Sequence, residues 1–107
     1  MPTFDGIEFT GPVEISNLPN SPGVYMITTD ASGGVKILGI YDGGNDMRKS
    51  SESNPKKDCW MKHRKDTDPV AYYIAEDDLG KRPSICRGII DRRYYDMPCN
   101  DPPKDDF

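Results

Sequence analysis

A chain of 107 residues without an internal repeat is sized for one domain with a modest core. It has no apolar run near the ~18 residues of a membrane helix, and its N-terminus lacks a signal-peptide pattern; both features predict a soluble cytoplasmic protein. The net charge of −4 counts at first against nucleic acid, and three cysteines, an odd number, fit a reducing compartment better than a disulfide framework.

Residues 1–17 place Phe4, Ile7, Phe9, Val13 and Ile15 in loose alternation, which predicts a short strand or extended arm. Residues 18–22 carry Pro, Asn and Ser and form a turn. Residues 24–29 and 35–40 are two short β-rich runs separated by Asp30-Ala-Ser-Gly-Gly34, the signature of a β-hairpin whose glycines can supply φ > 0. Residues 41–45 form a loop leading into a helix. Residues 46–58 are polar, and Pro55 argues against one continuous helix across them. Asp58 is the expected N-cap of a short helix over residues 59–65, ended by residues 66–69. Residues 70–75, Val-Ala-Tyr-Tyr-Ile-Ala, are β-branched and aromatic and predict a third strand. Glu76-Asp77-Asp78 and Gly80 make a turn. Residues 83–95 predict a helix: Ile85, Cys86, Ile89, Ile90 and Tyr94 recur on one face while Arg87, Asp91 and Arg92 lie on the other. Residues 97–100 close it and residues 101–107 form an acidic tail. The order β-β-α-β-α defines an α+β architecture, a small antiparallel sheet with flanking helices.

Charge is unevenly spread. Residues 1–47 hold one base, Lys36, against six acids. Residues 48–65 hold Arg48, Lys49, Lys56, Lys57, Lys62, Arg64 and Lys65 against Glu52 and Asp58, a net +5. Within the acidic remainder, residues 81–93 carry five bases and only Asp91. These two patches suit a local phosphate-binding face; the plain alternative is two solvated helix faces.

Pro22-Gly23-Val24-Tyr25 on the first hairpin strand, with Ile37-Leu38-Gly39 on the second, resembles the opening of a GIY-YIG nuclease domain, whose two signature tripeptides sit on such a hairpin. Ile37 replaces the tyrosine of the second tripeptide. The resemblance extends over about residues 18–100, where Ile89-Ile90 and Pro98 to Asn100 are similar to the apolar pair and the ending of the family's last helix. It implies a metal-dependent cut of DNA phosphodiester bonds. A tyrosine would activate water, an arginine and a Mg²⁺ ion would neutralise phosphate charge, a glutamate would anchor the ion, and a histidine or a second tyrosine would assist. Tyr25, Arg48 and His63 are the catalytic candidates so implied. The arginine has two registers. Counting from Gly39 gives Arg48, whereas Trp60-Met-Lys-His63 resembles a stretch that follows the arginine in some family members, which puts Cys59 at the arginine position. The glutamate is missing: residues 83–90 contain no carboxylate, and Cys86 or Arg87 stands nearest its place. A hard cation then lacks its oxygen anchor. No cofactor is expected, Mg²⁺ only if the site is active. A zinc set of Cys59, His63, Cys86 and Cys99 is disfavoured by its irregular spacing.

Three functional expectations follow. The first is a degenerate, weakly active or inactive nuclease retained as a nucleic-acid-binding protein through Lys49, Lys56, Lys57, Lys62, Arg64 and Lys65. The second is an active metal-dependent endonuclease. The third is a protein-interaction or inhibitor module on the same fold. None involves a membrane.

Overall fold

The computed structural model describes residues 3–31, 33–65, 67–93 and 96–100. The fold is α+β, with two antiparallel sheets and three α-helices among the described residues. An N-terminal arm folds as a minimal hairpin, β1 (Thr3–Phe4) and β2 (Ile7–Glu8), turned through Asp5 and Gly6, both at positive φ. The arm then enters β3 (Thr10–Glu14) and a single 3-10 turn, Ile15–Asn17. The central hairpin is β4 (Gly23–Ala31) and β5 (Gly34–Asp42), with Gly33 at φ 79° in the turn. Two short helices follow, α1 (Met47–Glu52) and α2 (Lys57–His63), then β6 (Val70–Ala75) and α3 (Lys81–Arg93). The main sheet has the order β3-β6-β4-β5, antiparallel throughout.

The sheet separates two cores. Along β4 the side chains alternate as a pleated strand requires. Val24 and Met26 face a core completed by Phe9, Ile37, Ile40, Tyr72, Cys86, Ile89 and Met97, with α3 as its lid. Tyr25 and Ile27 face the other core, with Leu18, Leu38, Met47, Trp60, Ala71 and Cys99, beneath α1 and α2. On β5 the alternation is broken by a bulge: Ile27 pairs with Gly39 but Thr28 pairs with Ile37, leaving Leu38 as the extra residue. The bulge lets both Ile37 and Ile40 reach the α3-side core.

A seven-residue helix such as α2 is too short to be stable by propensity. Trp60, 2% exposed, holds it down; burying roughly 200 Å² of indole at ~25 cal/mol per Å² contributes about 5 kcal/mol before entropy losses. Its start also differs from expectation. Asp58 lies inside the first turn, and Asn54 makes the entry instead: its side-chain oxygen accepts from the Lys56 N–H at 2.8 Å and its carbonyl from the Lys57 N–H at 3.3 Å. The helix ends at His63, two residues before the predicted end. α1 begins as an N-capped helix should, with Asp46 accepting from the Lys49 N–H at 3.0 Å.

The cysteines depart from expectation. Cys59 on α2 and Cys99 near the end of the described chain form a disulfide across 40 residues, and Cys86 alone is free. The predicted contribution of Tyr94 to the helix face and the predicted acidic tail over residues 101–107 lie outside the described residues. Among the described residues no helix is long and apolar enough to cross a membrane.

Candidate functional site

Tyr25, fixed on the central strand, is fully buried in the α1/α2-side core. Its hydroxyl accepts from the Asn54 amide at 2.8 Å and shares a hydrogen bond with the Ser50 hydroxyl at 3.2 Å. Burial pushes its phenol above the ordinary value, against a smaller opposing effect of those two bonds. The group is therefore neutral at physiological pH, with its oxygen engaged on both sides by protein.

Arg48 stands on α1, as the direct count from Gly39 expects, but does not meet Tyr25 in the observed bonds. Its Nε donates to the Leu18 carbonyl at 2.8 Å. Together with Met47 N–H to Ser21 O and Arg48 N–H to Pro19 O, this ties α1 onto the turn that leads into β4. The residues that do meet Tyr25 are Ser50 and Asn54, which the sequence reading did not single out. Only a helix register of three or four residues back from Asn54 would have aligned Ser50 beside it. His63 is exposed at the end of α2.

In the second register, as in the first, the sheet parts the arginine position from the Cys86 position. Cys59 belongs to the α1/α2 side and Cys86 to the α3-side core, so the sheet lies between the two residues proposed to share a cleft. The four sulfur and imidazole groups weighed as a zinc set do not converge either. Two are bonded to each other, Cys86 is in the other core, and His63 is in solvent. Burial, reinforced by the Asp42 carboxylate, pushes the Cys86 thiol up to about 12, so it is an inert apolar filler at neutral pH.

Beside Cys86 lies an ion pair that the sequence concealed. Arg82 is 2% exposed. Its Nε donates to Asp42 at 2.9 Å and an Nη to the Glu76 carbonyl at 3.1 Å, joining the end of β5, the end of β6 and the start of α3. Arg93 is likewise committed, bidentate to Asp5 at 2.9 and 2.8 Å. The second basic patch thus shrinks to Lys81, Arg87 and Arg92, of which Arg87 faces Asp91 at 3.8 Å.

The first patch keeps its charge outside. Lys49, Lys57, Lys62, Arg64 and Lys65 are exposed and Lys56 is half-buried. Lys57 reaches back to the Glu52 carbonyl at 3.2 Å, and the Lys65 N–H donates to the Thr29 hydroxyl at 2.9 Å, which docks the stretch after α2 on the sheet. Trp60 and the disulfide hold α2 from beneath. The result is a supported, positively charged surface with Met61 exposed within it. Comparison with protein-family models, with curated proteins and with solved structures finds no match to this chain.

Proposed function

We propose that this protein is a non-cleaving nucleic-acid-binding module on a GIY-YIG-like scaffold, gripping the phosphate backbone with the α1–α2 surface. The observation that carries this reading is the contrast between its two candidate sites. Lys49, Lys57, Lys62, Arg64 and Lys65 stand exposed on α1, on α2 and on the stretch after it that is docked to the sheet, whereas the tyrosine that hydrolysis would need is buried and saturated with hydrogen bonds. Exposed cations on a rigid support neutralise phosphates and release counterions, giving affinity without sequence information.

The test is a salt-dependent titration of duplex and single-stranded DNA and RNA. Replacing Lys49, Lys62, Arg64 and Lys65 with glutamine should weaken binding and flatten the dependence of log K on log salt by about one unit per lost phosphate contact. Surface substitutions of this kind leave stability within about 0.5 kcal/mol, so a folded variant with an unchanged slope would exclude this face. No binding at low salt would exclude the proposal.

A further inference from the structure

The last described residues form a strap along the open edge of β5. The Cys99 N–H donates to the Leu38 carbonyl at 2.9 Å. Beyond it, the Asn100 side chain imitates a neighbouring strand: its oxygen accepts from the Ile40 N–H at 2.7 Å and its amide donates to the Ile40 carbonyl at 3.0 Å. The Cys99 carbonyl accepts from the Tyr41 hydroxyl at 2.7 Å, and that hydroxyl accepts from the Trp60 indole N–H at 2.8 Å. The strap is therefore tied to α2 twice, through Tyr41 and Trp60 and through the covalent Cys59–Cys99 bond.

We infer that the Cys59–Cys99 disulfide is a redox latch: thiol reduction releases the strap and uncovers the β5 edge while the rest of the fold persists. Three features carry this. First, the two sulfurs differ in access, since Cys99 is fully buried and Cys59 half-buried. A thiolate reductant attacks the Cys59 sulfur and the Cys99 sulfur leaves and takes a proton. A second reductant thiol then resolves the mixed disulfide, giving two protein thiols and the reductant's own disulfide. Second, the strap bonds to the outer edge of β5, whereas the inner edge of that strand is paired with β4 from Val24↔Asp42 to Ala31↔Gly34 through bonds in which the strap takes no part. Release gives up the burial of the Met97 and Cys99 side chains but none of the β4–β5 pairing, which keeps opening local. Third, the uncovered groups are an unpaired N–H and two carbonyls of a strand edge, which are competent to pair with an added strand. The latch goes beyond the binding proposal and does not depend on it.

Amide hydrogen exchange by NMR on the full chain, oxidised and then treated with excess dithiothreitol, tests it, with alkylation and mass measurement to count thiols. On reduction, the Cys99 and Ile40 amides should lose at least tenfold in protection, while Met26 and Ile27 on the central strand keep theirs. Trp60 emission should shift, and reoxidation should restore both signals. The double variant Cys59→Ser/Cys99→Ser should resemble the reduced protein. Unchanged exchange at Cys99 and Ile40 in fully reduced protein would overturn the latch. So would loss of protection at Met26 and Ile27 in step with Ile40, which would make the bond a global staple, or three alkylatable thiols in the oxidised sample.

Discussion

Gly39 shows how a single residue fixes the α1/α2-side core. A Cβ there would run into the Tyr41 hydroxyl and ring, because residues 39 and 41 share a face of β5 and the Tyr41 ring lies back over Gly39. That hydroxyl in turn holds both the Trp60 indole and the Cys99 carbonyl. Gly39→Ala must push Tyr41 aside and break this chain of bonds, at an expected cost of 1–3 kcal/mol or somewhat more. Gly34→Ala, at a site with open space around it, is the control and should change stability little. Chemical denaturation followed by emission of the single tryptophan measures both. The sequence marks Gly39 only as the third letter of a family-like tripeptide. The steric reason is invisible in the sequence: alternation puts Gly39 and Tyr41 on one face but does not say that the Tyr41 ring folds back over position 39 toward Trp60 and Cys99.

At the scale of elements, the hairpin, β6 and α3 were legible because their signals are local. Turn residues separate two β-rich runs, and β6 occupies the very residues 70–75 that its composition marks. α3 begins two residues earlier than expected because Asp78 accepts from the Gly80 and Lys81 N–H groups at 2.7 and 3.1 Å, placing the start ahead of Pro83. What was not legible depends on partners distant in sequence. The disulfide, the burial of Arg82 and the pairing of the N-terminal arm with α3 all depend on which elements meet, and no window of sequence reports that. The arm offers a pH test. The Arg93 hydrogen bond holds the Asp5 carboxyl below its ordinary value near 3.8, against a smaller effect of burial. A carboxyl depressed in the folded state contributes stability that is present above its unfolded pKa and lost as pH falls through the folded one. Asp5→Asn should therefore cost on the order of 1–2 kcal/mol at pH 7. The gap to the unmodified protein should close on acidification from about pH 4 downward. Melting temperatures of the two proteins across pH 2 to 7 check this. A gap that persists at the acid end would mean that Arg93 and Asp5 act through packing rather than charge.

For the molecule as a whole, the decisive fact is that the sheet divides the residues a nuclease site would have to gather. Tyr25 and α1 lie on one side, and the Cys86 position on α3, nearest the place of the missing glutamate, lies on the other. Hydrolysis of a phosphodiester needs charge stabilisation where the transition state forms, and loss of one such electrostatic contact commonly costs about 10²–10³ in rate. Here the tyrosine is also neutral, buried and bonded to Ser50 and Asn54, and Arg48 is spent on the Leu18 carbonyl. Supercoiled plasmid incubated with the protein in Mg²⁺ or Mn²⁺ should therefore remain intact, with no difference on addition of a chelator. Tyr25→Phe should leave DNA binding unchanged. It should lower stability by about 1 kcal/mol, the usual net worth of a buried hydroxyl's hydrogen bond. Nicking that a chelator stops and Tyr25→Phe abolishes would reverse this conclusion. It would require the α1/α2 side to open and hand Tyr25 to solvent, a rearrangement that exchange at the Trp60 indole N–H during turnover would reveal.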